Sequence, residues 1–268
     1  MRSRTGNPGW IAVLLALCVC GPARADIPDF MANFHRMVQQ AYANSGEYMK
    51  YADSKGAALT PMADGNGLYL LWKGVPAPKY VDKMMVILPD ADSDAYKEFH
   101  YWHPVAEKYG YALLIPQWAD EATPSQVYAT TVAPQLIANG VLRGGAVLYG
   151  RGKTAGFVYG IAALDHRDGG RQYFGTLVAD DGAADFNEPV IQLINGGGLG
   201  RRVFDKSEWA LYCSTDCREM ERTAAWILFH AGEVGLFIEE PEKKGHALRD
   251  DPELLQKRLE PFLQGRGK

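Results

Sequence analysis

Several features that mark other protein classes are scarce in this 268-residue sequence. Basic residues number 28 against 32 acidic ones, so the positive surplus typical of nucleic-acid-binding proteins is absent. Cysteine is rare: beyond residue 25 only Cys213 and Cys217 occur, without histidines at ligand spacing, so a local disulfide or two thiols is favoured over a metal site. With 47% apolar and 22% charged residues, the composition excludes disordered, collagen-like and coiled-coil chains and is that of a globular protein.

The first 25 residues have the three parts of a secretory signal. Arg2 and Arg4 begin it, residues 11–20 (IAVLLALCVC) form an apolar run, and a small-x-small motif ends at Ala25. The apolar run is too short to span a bilayer, which takes about 20 helical residues. We therefore expect cleavage before Asp26 and a periplasmic or secreted location. A lipoprotein signal on one of the two leader cysteines is the weaker alternative, because bulky residues precede both.

Strand-like and helix-like segments alternate through the rest of the chain. Strands are predicted at 67–73, 83–88, 111–116, 145–149, 173–179, 208–213 and 234–239. Helices are predicted at 28–44, 93–109, 125–139, after the Gly-rich turn through 164, at 218–231 and from 251 onward. This alternation predicts an α/β fold, with a mostly parallel sheet covered on both faces and ligands at the carboxyl ends of its strands. The expected divisions are a signal at 1–25, a helical extension at 26–66 and one α/β domain at 67–268.

Two stretches carry a resemblance to a known family. Residues 84–118 (MMVILPDADSDAYKEFHYWHPVAEKYGYALLIPQW) have a strand, a loop, a helix and a second strand, and residues 146–164 (AVLYGRGKTAGFVYGIAAL) have a strand, a sharp turn and a helix. Together with Asp216 and GHAL at His246, they resemble the α/β-hydrolase superfamily, and within it secreted esterases of the polyhydroxybutyrate depolymerase and feruloyl esterase type. The resemblance covers roughly residues 67–263 and implies an α/β-hydrolase fold of esterase descent.

The resemblance also implies a catalytic order of nucleophile, acid and histidine. It places the acid at Asp216 and the base at His246, each after a strand. At the nucleophile position of the G-x-S-x-G motif stands Gly152, and none of the seven serines lies in this turn. The usual serine reaction is therefore not encoded. A motif shifted by two residues would make Thr154 the nucleophile, but the apolar strand ends at Gly150, which favours the unshifted alignment.

The two loops that would stabilise an oxyanion or bind an anion also depart from the family pattern. Where these esterases have His-Gly, the sequence has Pro89 and Asp90, so Ala91 would have to supply the N–H group. A carboxylate at Asp90 would oppose an oxyanion unless it points away. Arg151 and Lys153 flank N–H groups at a helix N-terminus, where a small anionic ligand is one expectation and two solvated cations the other.

Other polar clusters receive a structural interpretation. His100 and His103 lie three residues apart on a helix without a third ligand nearby, so an aromatic cluster is favoured over a metal site. Asp180, Asp181 and Asp185 lack calcium-binding spacing and are predicted to form a solvated acidic loop. No metal or cofactor is expected.

Three functional hypotheses follow from these observations. The first is a secreted or periplasmic protein that lacks conventional serine-hydrolase activity and keeps a ligand-binding cleft between Ala91, Gly152, Asp216 and His246. The second is an atypical carboxylic-ester hydrolase that uses Thr154 with His246 and Asp216. The third is a binding module for a small anionic or carbohydrate ligand. The expected partner is a small-molecule ester or an anionic ligand, with no nucleic acid and no membrane span in the mature chain.

Overall fold

Eight strands and their covering helices make up the described part of the chain. The computed structural model describes residues 27–90, 92–118, 122–167, 172–200, 202–213, 218–231, 234–239 and 259–264. The strands are β1 (Ala58–Pro61), β2 (Gly67–Trp72), β3 (Met84–Leu88), β4 (Ala112–Trp118), β5 (Ala146–Arg151), β6 (Phe174–Asp180), β7 (Ser207–Tyr212) and β8 (Val234–Glu239). The helices are α1 (Ile27–Ser54), α2 (Ala95–Tyr109), α3 (Pro124–Val127), α4 (Ala133–Ala138), α5 (Lys153–Arg167), α6 (Pro189–Asn195) and α7 (Arg218–Phe229), with a π-helical turn (Tyr128–Val132) between α3 and α4. None of the described helices combines the length and the apolar character needed to cross a membrane.

The strands lie in one sheet in the order β1-β2-β4-β3-β5-β6-β7-β8. β1 pairs with β2, and β2 with β4, in antiparallel fashion, whereas the other five pairs are parallel. The predicted α/β fold class is therefore confirmed. Because β3 to β8 run in the same direction, their carboxyl ends meet along one edge of the sheet, called the carboxyl edge below.

Apolar side chains cover both faces of the sheet. All five residues of β3 are buried, as expected for a strand packed on each side. On one face, α1, α2 and the helical residues 259–264 pack on the sheet, and Trp102 lies 4.5 Å from Tyr149 between ring centroids. On the other face, α3 to α7 form a second core in which Tyr159 stacks on Trp209 at 5.4 Å. These two cores hold the strand ends in place at the carboxyl edge.

Helix α1 is longer than the sequence predicts. The pair Ser45-Gly46 is expected to end it, yet the helix continues to Ser54. Its last turns pack against the sheet and α2, with Ala52 fully buried and Met49 partly buried against the same core. Tertiary packing therefore outweighs the cost of glycine inside a helix, which is about 1 kcal/mol.

A polar contact between α1 and α2 lies inside this core. The hydroxyl oxygen of Tyr51 is 3.0 Å from Nδ1 of His103, which is 1% exposed. Trp72 packs edge-on against the imidazole at 4.6 Å, so His103 has the aromatic surroundings that the sequence predicts. Burial lowers the pKa of His103 below its ordinary value of 6.5, while Glu107 raises it and Lys55 lowers it to smaller extents.

Two short elements lie where the sequence predicts none. β1 pairs with β2 and therefore adds a strand to the sheet from the part of the chain before residue 67. Helix α6 begins at Pro189, and the carboxylate of Glu188 accepts hydrogen bonds from the amides of Val190 and Ile191 at 2.7 and 3.1 Å. Elements of four and seven residues are too short to show a clear hydrophobic period.

Candidate functional site

The sharp turn between β5 and α5 lies at the carboxyl edge, next to the ends of β3 and β6. We call residues 150–154 the elbow. β5 ends at Arg151, α5 begins at Lys153, and Gly152 between them has a φ of +54°. Its amide donates a hydrogen bond to the carbonyl of Asp180, at the end of β6, over 2.9 Å. A left-handed φ is costly for residues with a side chain and cheap for glycine, so Gly152 fits this backbone without strain.

Gly150 lets the start of α5 lie close against β5. A Cβ atom at this position would lie 2.8 Å from the carbonyl carbon of Thr154, closer still to its oxygen, and 2.9 Å from Cγ2 of Val158. Such distances are well inside ordinary van der Waals contact. The absence of a side chain at Gly150 therefore positions the helix and, with it, the elbow.

The carboxylate of Asp90 lies directly over Gly152. If a Cβ atom is placed on Gly152, its three nearest neighbours all belong to this carboxyl group: Cγ at 3.0 Å, Oδ1 at 3.2 Å and Oδ2 closer than either. Asp90 follows β3, which neighbours β5 in the sheet. The side chain of Asp90 therefore points toward the elbow, into the space that a side chain at residue 152 would need.

The two cations of the elbow differ in their surroundings. A guanidinium nitrogen of Arg151 lies 3.7 Å from a carboxylate oxygen of Asp92, in an ion pair whose side chains are 22% and 61% exposed. Lys153 is exposed at the first position of α5. Asp92 offsets the charge of Arg151, and Asp90 adds a negative charge beside Gly152. The elbow is therefore not a simple cationic patch.

Thr154 faces the protein interior. It is 4% exposed, and its hydroxyl can donate to the carbonyl of Leu88 at 3.1 Å or that of Arg151 at 2.9 Å. The same oxygen accepts a hydrogen bond from the amide of Arg151 at 3.2 Å. These contacts tie α5 to the ends of β3 and β5. A nucleophilic role for Thr154 stays a prediction, and its burial and bonding favour a structural role.

Asp180 corrects the prediction of a solvated acidic loop. It is the last residue of β6, it is 3% exposed, and its carboxylate accepts a hydrogen bond from the hydroxyl of Tyr149 over 2.6 Å. Asp185 is exposed, as predicted, and Asp181 is partly exposed. Sequence reasoning missed Asp180 because a strand end cannot be located to one residue from its apolar pattern.

The remaining predicted site residues fall outside the described residues. These are Ala91, Asp216 and His246, together with Cys217. The strands predicted before Asp216 and His246 are confirmed, since β7 ends at Tyr212 and β8 at Glu239. Cys213 takes part in a disulfide bond. Within the described ranges, no group of three or more histidine, cysteine, aspartate or glutamate side chains is placed to hold a metal ion.

Comparison with solved structures agrees with this architecture. Est1E from Butyrivibrio proteoclasticus superposes with a TM-score of 0.52 at 13% identity, over 77% of this chain and 97% of that one. A structure from an analysis of two fungal esterases from Rhizomucor miehei gives 0.55 at 9% identity, over 91% and 96%. The protein has the α/β-hydrolase fold. No family model and no curated protein matches the sequence.

The hydrolase fold is shared with peptidases as well as esterases. Oligopeptidase B from Leishmania major superposes with a TM-score of 0.54 at 9% identity, over 78% of this chain but only 36% of that longer one. Identities this low establish the shape of the α/β-hydrolase sheet and not its chemistry. The function therefore has to be argued from the elbow itself.

Proposed function

We propose that this protein is an α/β-hydrolase-fold protein of esterase descent that has lost the serine-hydrolase reaction and keeps a ligand-binding cleft at the carboxyl edge. The observation that supports this most strongly is the elbow, where Gly152 stands at the turn and carries no nucleophilic atom. Covalent acyl transfer needs an oxygen or sulfur nucleophile at that point. Glycine cannot supply one.

The charge beside the elbow supports the same proposal. A serine-hydrolase transition state develops negative charge on the substrate oxygen, and donors at the site normally stabilise it by several kcal/mol. Here a carboxylate, Asp90, points at Gly152 instead. A like charge at this place would raise the energy of such a transition state, so the site disfavours acyl transfer twice, through the missing nucleophile and through the added charge.

The charge balance also bears on the ligand of the cleft. Arg151 is paired with Asp92, and the Asp90 carboxylate lies over the turn. This arrangement favours an uncharged ester or a carbohydrate over an anion as the ligand. We further propose that the protein reaches the periplasm or the exterior after cleavage of residues 1–25, on the strength of the signal pattern alone.

The test is turnover of p-nitrophenyl acetate by the purified protein, together with labelling by a fluorophosphonate. We expect no turnover above the buffer rate, no label, and the same result for His246→Ala. Turnover by the native chain that His246→Ala abolishes would overturn the proposal. A label that disappears in Thr154→Ala would instead favour the atypical hydrolase that uses Thr154.

A further inference from the structure

We infer that the Asp90 carboxylate occupies the space that a nucleophile's side chain would fill at residue 152. The glycine at residue 152 and the aspartate at residue 90 therefore depend on each other. A serine restored at residue 152 alone would have to displace this carboxylate, so the substitution should cost less stability when residue 90 changes as well. This inference rests on the proposed function, in which the elbow has no nucleophile.

The contact is specific to one side chain. The three heavy atoms nearest to a Cβ on Gly152 are Cγ, Oδ1 and Oδ2 of Asp90, with no backbone atom among them. Gly150 differs, because a Cβ there would meet the backbone of Thr154. The obstruction at Gly152 can therefore be removed by changing a single residue, whereas the one at Gly150 belongs to the packing of the helix.

The two backbones that meet at this contact are both held. Gly152 donates its amide to Asp180 at 2.9 Å, and its carbonyl accepts from the amide of Ala155 at 3.2 Å. The carbonyl of Asp90 accepts from the amide of Ser93 at 3.0 Å. A side chain added at residue 152 must therefore be accommodated by rotation of the Asp90 carboxylate rather than by movement of either backbone.

Electrostatics favour the observed position of this carboxylate. α5 has 15 residues, and its N-terminus begins directly after Gly152. The partial positive charge at a helix N-terminus stabilises a nearby anion. Rotation of Asp90 away from the elbow would give up this interaction as well as the contact with Gly152. The carboxylate thus occupies the space where the side chain of a nucleophile at residue 152 would otherwise lie.

The experiment is a double-mutant cycle on thermal unfolding with Gly152→Ser, Asp90→Ala and the double variant. We expect Gly152→Ser to lower Tm by about 2–10 °C more in the native background than in the Asp90→Ala background, because only the native background contains the clash. Asp90→Asn has the same size without the charge and should retain most of this difference. Should Gly152→Ser not fold in either background, Gly152→Ala is used in the same cycle.

A matched control separates the contact from backbone strain. Gly110 also has a left-handed φ, of +71°, but a Cβ there would have no neighbour within 4 Å. Gly110→Ser should therefore lower Tm by the same amount in the native background and in the Asp90→Ala background. Equal losses for Gly152→Ser in the two backgrounds would overturn the inference, as would fluorophosphonate labelling of Gly152→Ser with Asp90 intact. Labelling of the native chain would instead overturn the proposed function.

Discussion

Replacing Thr154 by valine would remove the hydroxyl that joins the start of α5 to two strands. Valine is close to threonine in shape and is also branched at Cβ, so the substitution changes hydrogen bonding far more than packing. The hydroxyl accepts from the amide of Arg151 and shares one proton between the carbonyls of Leu88 and Arg151. At any moment it therefore makes one accepted and one donated bond.

The expected cost follows from these two bonds. Each contributes about 1 kcal/mol net, and leaving a buried partner unsatisfied raises the loss toward about 1–3 kcal/mol for each group. The bond to Leu88 is fully buried and the one from the Arg151 amide partly so. We expect Thr154→Val to lower the free energy of unfolding by about 2–4 kcal/mol. For a domain of this size that is a fall in Tm of about 4–16 °C.

Urea and thermal unfolding of the native protein and the variant would measure this cost. Thr130→Val is the matched control, because the Thr130 hydroxyl bonds to the carbonyl of Gln126 at 2.9 Å near the surface. Its effect should stay within about 0.5 kcal/mol. Thr154→Ser keeps the hydroxyl, so its loss in free energy of unfolding should lie between those of Thr154→Val and Thr130→Val. If Thr154→Val proves as stable as the native protein, then the hydroxyl does not hold the elbow in place and the argument is wrong.

Two further predictions concern pH and glycine packing. Because burial lowers the folded-state pKa of His103, the unfolded chain takes up its proton first, so stability should fall as pH drops below about 6.5, and should fall less in His103→Gln. The test compares Tm at about pH 7.5 and about pH 5.5, on either side of the ordinary histidine pKa, for the native protein and for His103→Gln. His166 and His230, whose pKa values burial also lowers, are present in both proteins. Equal pH dependence of the two proteins would refute the prediction. Gly150→Ala should lower the free energy of unfolding by at least about 1–3 kcal/mol through overpacking. At Gly156 a Cβ would meet its nearest atom at an ordinary 3.6 Å, so Gly156→Ala should raise the free energy of unfolding by about 0.5–1 kcal/mol. Urea unfolding of both variants checks the contrast, which similar effects would contradict.

The central strands could be predicted because their signal is local. β3 and β5 are continuous apolar runs bounded by turn residues, and both occur where the sequence predicts them. The end of α1 could not be predicted in the same way. Gly46 is a local signal for ending a helix, and contacts with α2 that are distant in sequence override it.

The candidate site likewise has one part that the sequence predicts and another that it does not. That Gly152 lies at a turn between a strand and a helix follows from the order of apolar and glycine residues around it. The roles of Asp90 and Asp180 do not follow from that order. Asp90 could have pointed to solvent, and Asp180 could have belonged to a loop; both are decided by which strands are neighbours in the sheet.

By itself the sequence determined the α/β class, the position of the elbow and the lack of a serine there, because hydrophobic period, glycine placement and residue identity are properties of neighbouring residues. Only the tertiary structure decided what surrounds the elbow. β3 and β6 flank β5 in the sheet although their residues are far apart in sequence, and this pairing brings the Asp90 carboxylate over Gly152 and the Asp180 carbonyl to its amide. Such contacts depend on strand order and side-chain direction, which no local pattern encodes.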